Sequence, residues 1–370
     1  MKHPSTAPQP RPPPPLEVVP DQWYAVLEKS KLGSRPVPVR RFGEDLVLYR
    51  TASGEACCFI DRCPHRGVAL HLGRVVGEEL ECGYHGFRFR TDGACTAVPC
   101  DGENALIPRA LRAQAFPTRE EHGLVWVWWG APRERLPPIP WIPDAPSDEA
   151  HSYGASFTWP IPTFRAIEAT FDYHHAPVLH GKRSLRWTNI PRMLQFDEVA
   201  CEADDEGVEL RGVLRVPGEP RSPSGPTLRC HTSFRMPGLS YIRIGELERI
   251  LTVDTPIDAG STLRFMRVAS PIGTAYGLGR LLAWLTWKVE YHFATQLEED
   301  LPMVVTQAHP SEAFSDIYVK ADVGCAQYDR LRRKLLRAAR ASVDQHPIPV
   351  RMSLGAASAA RVSLPVARHA

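Results

Sequence analysis

Four residues in the first quarter of the chain have the types and spacing to hold a metal cluster. They fall in two mixed pairs, Cys63-x-His65 and Cys82-x2-His85, with sixteen residues between the pairs. A structural zinc site pairs like with like, cysteine with cysteine and histidine with histidine, and this chain does not. Two thiolates on one iron and two imidazoles on the other suit a [2Fe–2S] cluster. Such a cluster carries less negative charge than an all-thiolate one and accepts an electron at a higher potential. The flanking Pro64, Gly67, Gly83 and Gly86 predict two tight loops whose backbone N–H groups come close to sulfur.

A second constellation lies in the run Asp172-Tyr173-His174-His175-Ala176-Pro177-Val178-Leu179-His180. Two histidines and one carboxylate on one face of an iron leave coordination positions open for dioxygen. His175 and His180 are five residues apart, about 140° around a regular helix, so one unbroken helix does not bring both to a metal. The segment "TFRAIEATFDYHHAP" reads as helical, and Pro177 predicts that this helix breaks between the two histidines. Asp172, three residues before His175, shares its helical face and can accept the ring N–H that a metal leaves unused. The third ligand should be a carboxylate, and "TQLEEDLPMVVTQ" holds three in a row, Glu298, Glu299 and Asp300, with Pro302 predicting a kink or helix end beside them.

On these residues the chain resembles the Rieske non-haem iron oxygenases, catalytic (alpha) subunit, of the ring-hydroxylating and monooxygenase-demethylase type. "CPHRG…CGYHGF" is similar to the family's cluster motif, with Gly83 where Pro is more usual, and Asp172, His175 and His180 match D-x2-H-x4-H. The resemblance aligns Asp300 with the liganding aspartate and leaves His174 off both spacings. It departs at Glu168-Ala169, where the family often has Glu-Asn. The resemblance implies a [2Fe–2S] Rieske cluster on Cys63, His65, Cys82 and His85, and a mononuclear Fe(II) on His175, His180 and Asp300, with O2 as co-substrate. It further implies a homotrimer in which Asp172 reaches a cluster histidine of the neighbouring subunit. The reaction implied is of the EC 1.14 class, monooxygenation or demethylation of an apolar small molecule rather than cis-dihydroxylation.

The elements that must position these groups read as α+β. Residues 1–18 are a proline-rich tail. Residues 19–130 alternate short β-type runs with turns and end in "HGLVWVWWG", an all-β Rieske domain by resemblance. Residues 131–152 form a proline-rich linker, residues 153–347 an antiparallel sheet with helices (a helix-grip or START-like catalytic domain by resemblance), and 348–370 a C-terminal tail. Helices are expected near 277–299 and 315–341, with Leu281, Leu282, Leu285 and Val289 on one arc and Trp284 and Phe293 nearby as core or substrate wall.

The bulk numbers exclude some classes. With 44 basic and 42 acidic side chains among 370 residues, no global field favours nucleic acid or anionic lipid. No apolar run is clean enough for a membrane span, and nine cysteines without the apolar core of a signal peptide point to a reducing, cytoplasmic setting. Cys57, Cys58, Cys95 and Cys100 read as small buried hydrophobes. The chain has no Gly-x-Gly-x-x-Gly loop and no plant-type ferredoxin run, so a separate reductase or ferredoxin is expected to supply electrons. The basic run "YDRLRRKLLRAAR" reads as a solvated helix face. The rival readings are a Rieske electron carrier with a ligand-binding, non-catalytic second domain, and a lipid-binding module that has lost catalysis.

Overall fold

The computed structural model describes residues 16–102, 104, 106–146, 152–180, 195–215, 228–245, 248–269, 279–288, 299–307 and 316–345. Both expected tails fall mainly outside that set. Residues 16–18 do not: Glu17 pairs with Arg332, and Val18 packs on apolar residues of the N-terminal β unit.

That unit contains three sheets among the described residues. Gln22–Glu28 (β1) pairs with Leu124–Trp129 (β11), which also pairs with Thr118–Glu121 (β10). Val37–Arg41 (β2), Glu44–Arg50 (β3), Ala56–Ile60 (β4) and Ala115–Phe116 (β9) form the second. Arg74–Val76 (β5), Glu79–Glu81 (β6), Arg88–Phe89 (β7) and Cys95–Ala97 (β8) form the third. Cys57 and Cys58 are buried in β4 as expected of small hydrophobes, but Cys95 is only half-buried and Cys100 is exposed, because β8 and the turn after it lie at the rim.

Strand β11 shows how this unit is fixed to the rest. Its six residues are all buried, so neither face meets water. By the two-residue period of a strand, Val125, Val127 and Trp129 face the core of the N-terminal unit. Leu124, Trp126 and Trp128 face a second core shared with Leu239, Tyr241, Leu251, Val253 and Phe265 of the C-terminal sheet. The proline-rich segment is ordered between them. Ile139, Ile142 and Ala145 are buried in that shared core, and Trp23 Nε1 donates to the Pro137 carbonyl at 2.9 Å. Its many prolines lack N–H donors, so the chain can lie against apolar surface with fewer unmet backbone groups.

The C-terminal sheet is antiparallel. Its strands are Ser152–Trp159 (β12), Gln195–Ala203 (β13), Gly207–Arg215 (β14), Leu228–Arg235 (β15), Leu239–Ile244 (β16), Glu248–Asp258 (β17) and Ser261–Ala269 (β18), in the order β12-β18-β17-β16-β15-β14-β13. Helices Thr163–Glu168 (α1) and Val323–Gln345 (α5) cover one face. Cys325, Tyr328 and Leu331 form the buried stripe of α5 against Phe171, Leu210 and Phe234. This helix starts at Val323 and not near 315, because Asp316–Val319 carry no regular structure, a 3-10 turn follows at Lys320–Asp322, and the Asp322 carboxylate accepts the Val319 N–H at 2.8 Å. Arg330, Arg333, Arg337 and Arg340 point to solvent.

Helix Gly279–Thr286 (α3) corrects the expected apolar arc. It packs on β12 and β18. Ala283 is buried, as is Trp287 in the widened turn just after the helix, and Leu282 is half-buried, whereas Leu281, Trp284 and Leu285 are exposed. The buried residues are four apart, one helical turn, and a single Trp ring fills the gap against Ile250, Met266 and Val268. Val289 and Phe293 lie outside the described residues.

One buried ion pair ties sheet to helix beneath the site. Arg264 on β18 grips Asp254 on β17, its register partner, with Nε–Oδ1 2.7 Å and Nη2–Oδ2 2.8 Å. Arg264 also donates to the Ala166 carbonyl of α1 and stacks 4.2 Å over Trp159. Burial raises the Asp254 carboxyl, and Arg264 opposes it. Removing one member leaves the other charge buried, so Arg264→Leu is expected to cost about 3–5 kcal/mol, read as a drop in the denaturant midpoint at unchanged slope.

Glu168 gives a pH-dependent term. Burial lifts its carboxyl to about 7 against the pull of Arg165 at 2.7 Å. A folded-state value above the unfolded one means the folded state holds the proton longer. The stabilisation is therefore full below the ordinary Glu range and is lost as pH rises through about 7. Glu168→Gln is expected to flatten the fall in stability across that window, measured by denaturation at several pH values.

Candidate metal centres

The two Cys–His loops are built alike. In the first, the Cys63 N–H donates to Val68 O at 2.8 Å and the Gly67 N–H to Cys63 O at 2.8 Å. In the second, the Cys82 N–H donates to Phe87 O at 2.8 Å and the Gly86 N–H to Cys82 O at 3.0 Å. Each loop thus closes on its cysteine through a glycine four residues on, at φ +75° in Gly67 and +72° in Gly86, a left-handed turn that favours glycine. The first loop is clamped further by Asp61, whose carboxylate accepts the His71 backbone N–H at 2.8 Å and pairs with the His71 ring.

This arrangement brings the four residues together. Both cysteines are buried beside Leu70, Phe87 and Phe89, while the His65 and His85 rings meet near the surface with centroids 4.8 Å apart. His65 stacks on Phe87 at 4.6 Å, and Tyr84 lies 3.8 Å from His85. Burial raises the Cys63 thiol, while the backbone N–H groups of His65 and Arg66 point at its sulfur and oppose that. Desolvation, followed by the His65 and Arg66 charges, holds His85 below the ordinary histidine range. Two buried sulfurs, one of them met by N–H donors, beside two imidazoles that meet near the surface fit a cluster that needs thiolate and imidazole lone pairs.

The second group gathers from two distant segments. After α1 ends at Glu168, the chain turns through residues 169–174 and re-enters a short helix, His175–Leu179 (α2). The break therefore falls before His175 and not between the histidines. Pro177 is the third residue of α2, in the first turn, where a backbone N–H has no acceptor within the helix. Its proline costs no helical hydrogen bond there. The turn is stapled to β15: Tyr173 OH meets Thr232 Oγ1 at 2.5 Å, and Thr232 Oγ1 donates to Thr170 O at 3.0 Å. With Tyr173 buried, Asp172 is left part-exposed beside the His175 ring.

His175 opens α2 and His180 follows its last residue, where the backbone tightens toward 3-10 geometry. Their rings lie 5.1 Å apart and nearly perpendicular, at 80°. Asp300 completes the group. His175, His180 and Asp300 offer ligand atoms all within 4.8 Å of one another. Asp300 Oδ1 stands 3.4 Å from His180 Nε2 and 3.9 Å from His175 Nε2. Asp300 sits at the N-terminus of the short helix Leu301–Val304 (α4), with Pro302 in the first turn, so this proline helps start a helix instead of ending one. Leu301 and Val304 anchor α4 against Trp159, Ile161 and Ala166.

Carboxylates also stand behind the rings. Asp172 Oδ2 is 3.4 Å from His175 Nδ1, and its Oδ1 accepts the backbone N–H groups of His174 at 2.9 Å and His175 at 3.3 Å. Burial works against its charge, but the His174 and His175 rings, followed by the His174 backbone N–H, outweigh it and hold the carboxyl well below the usual range. Burial also disfavours charge on His175, yet Asp172 and Asp300 together raise it. Asp300 is raised by burial against the pull of His180, His175 and Arg264. His174 stands edge to face on Phe196 at 5.4 Å with its Nδ1 3.6 Å from Asp172 Oδ1, and it is not among the three converging groups. Glu298 lies outside the described residues. Glu299 does not share the point between the Nε2 atoms, and its Oε2 meets His180 Nδ1 at 2.8 Å. Sequence reasoning offered Glu299 only as a rival ligand, because nothing in the spacing tells which edge of a ring a residue 119 positions away will touch.

The donor set suits a small, hard or borderline cation with imidazole and carboxylate ligands and open positions, such as Fe(II). The cleft bounded by Val19, Tyr24, Phe164, Met236, Tyr328 and Arg332 is elsewhere and includes none of these groups. Of the expected substrate wall, the helix residues Val289 and Phe293 lie outside the described residues.

A family model described as "Rieske [2Fe-2S] domain" matches residues 22–116, which enclose both Cys–His loops. The chain is a Rieske-domain protein. Among curated proteins, the phenoxybenzoate dioxygenase alpha subunit of Ectopseudomonas oleovorans is 39% identical over 118 residues, 32% of this chain and 29% of that protein. The chloroplastic chlorophyllide a oxygenase of Chlamydomonas reinhardtii is 34% identical over 181 residues, 48% of this chain and 26% of that one. The matched segments thus span less than half the length of either relative. In fold, the likeness extends well past the Rieske domain. Apo dicamba monooxygenase superposes with a TM-score of 0.68 at 18% identity, covering 88% of this chain and 99% of that one. Pseudomonas putida CBB5 NdmA with caffeine gives 0.63 at 22% identity, covering 87% and 92%. No helix among the described residues is long and apolar enough to cross a membrane.

The Rieske loops approach backbone to backbone at Gly73, where an added Cβ would stand 1.9 Å from Glu81 O. Gly73→Ala is therefore expected to force the loops apart and lose most of the cluster, seen as collapse of the visible absorption and of sulfide content. Full cluster loading would show that this contact does not set the loop spacing.

Proposed function

We propose that this Rieske-domain protein is an O2-dependent non-haem iron oxygenase that hydroxylates or demethylates an apolar organic molecule, acting as a monooxygenase. The reading rests on one observation above all: His175, His180 and Asp300 converge, with an acid behind His175. The similarity to oxygenase subunits in sequence and to dicamba monooxygenase in fold supports it. The helix-grip or START-like label for the second domain is offered on the same footing, from an antiparallel sheet with α5 laid across it.

In this reading Cys63, Cys82, His65 and His85 would hold the [2Fe–2S] cluster and His175, His180 and Asp300 a mononuclear Fe(II). The iron would supply dioxygen binding and activation, and the cluster one-electron storage. The chain's own residues do the rest. The Tyr173–Thr232 staple fixes the turn, Asp172 orients His175 through Nδ1, and the packing of α4 on Trp159 and Ala166 sets Asp300 facing both Nε2 atoms. Asp172 is part-exposed and His65 exposed, so a second copy of the chain can reach each. This supports a homotrimer in which Asp172 bridges to the cluster of a neighbour. Electrons would come from a separate reductase or ferredoxin.

The test supplies reductase, electron donor and candidate substrates to the whole protein and follows substrate-dependent O2 uptake with product mass. His175→Ala and Asp172→Ala are expected to lower the rate by at least about 100-fold with the Rieske absorption unchanged. A normal rate in His175→Ala would remove the proposed iron site, and a normal rate in Asp172→Ala would remove the electron bridge.

A further inference from the structure

We infer that Glu299 is a positioning residue for the proposed iron, holding His180 by the ring edge that faces away from the metal. The inference rests on the iron reading above and extends it to a residue outside the ligand set. Glu299 Oε2 lies 2.8 Å from His180 Nδ1, while Asp300 Oδ1 lies 3.4 Å from Nε2 of the same ring. The two imidazole nitrogens point to opposite edges, so two consecutive residues of one chain segment grip one ring from both sides. The backbone makes this possible. Glu299 and Asp300 lie in a π-helical turn just before α4, a widened turn of the kind that re-aims side chains at functional sites.

The chemical consequence follows from the tautomer. A carboxylate on Nδ1 accepts its hydrogen, which leaves the lone pair on Nε2, the nitrogen that faces Asp300 and His175. Asp172 stands in the same relation to His175 through its Nδ1 at 3.4 Å. The two supports differ in setting. Asp172 has a side chain 39% exposed, whereas that of Glu299 is 6% exposed and its partner His180 10%. A shorter contact with little competing water makes Glu299 the stiffer of the two anchors. Asp172 remains reachable from solvent, and Glu299 is buried against His180.

The test measures metal affinity directly. Full-length protein with its Rieske cluster intact is stripped of mononuclear metal by chelator and titrated with Co(II) without oxygen, following the cobalt ligand-field bands. Glu299→Met, of similar size but with no acceptor, is expected to weaken Co(II) binding about 10–100-fold and shift the bands. Glu299→Gln, which keeps an amide oxygen for the Nδ1 hydrogen, is expected to recover most of that loss. Equal affinity in Met, Gln and unsubstituted protein would overturn the inference, as would equal weakening in Met and Gln. Asp300→Ala and His180→Ala run alongside. If those two also bind Co(II) normally, the iron site itself is wrong. If Asp300→Ala binds normally while both Glu299 variants do not, Glu299 is a ligand and its positioning role is refuted. Unchanged Rieske absorption marks each variant as folded.

Discussion

Three carboxylates, Asp172, Glu299 and Asp300, converge on two imidazoles, and that density of acid groups largely out of water is tolerable only against positive charge. The surroundings answer this constraint in part. Donors from the His174 and His175 backbone satisfy Asp172, and Arg264 lies close enough to pull on Asp300. The ring edges that face Asp300 remain for a cation to share. The same logic, on a smaller scale, governs the Rieske loops, where the buried Cys63 sulfur is met by the His65 and Arg66 backbone N–H groups and the His85 ring is held below the ordinary histidine range.

Holding such a site requires elements that do not yield, and the packing supplies them from several directions. The Arg264–Asp254 pair joins β17, β18 and α1 beneath the centre, and the Tyr173 hydroxyl ties the ligand-bearing turn to β15. Strand β11 has no solvent face, because each of its faces belongs to a different core, so the Rieske domain and the C-terminal sheet share one wall of tryptophans. Apolar burial of this kind contributes about 1.5–3 kcal/mol for each large side chain, and several Trp rings take part. Domain placement is therefore set by the same side chains that stabilise each half.

The strands were legible because their patterns are local. Alternation and turn residues mark β14, β16, β17 and β18 directly in "GVELRGVLRV", "LSYIRIG", "RILTVDTPI" and "STLRFMRVAS". The Cys–His loops were legible for the same reason, since ligands and glycines sit within five residues of each other. What depended on distant partners was not. The helix break was expected at Pro177 on local sterics, but the hydroxyl staple to Thr232 ends the helix earlier, and a proline in a new first turn is harmless. The exposed Leu281, Trp284 and Leu285 outnumber the buried Ala283 and Trp287, so composition pointed to the wrong face of α3. The Glu299–His180 contact joins segments 119 positions apart and leaves no periodic trace.

The account stands or falls on a mononuclear iron distinct from the Rieske pair. Mössbauer spectroscopy of anaerobically prepared protein enriched in iron-57 reads both environments in one sample. The account predicts a separate high-spin ferrous signal beside that of the cluster, absent from His180→Ala while the cluster signal persists. A spectrum containing only the cluster in fully metal-loaded, unsubstituted protein would contradict it.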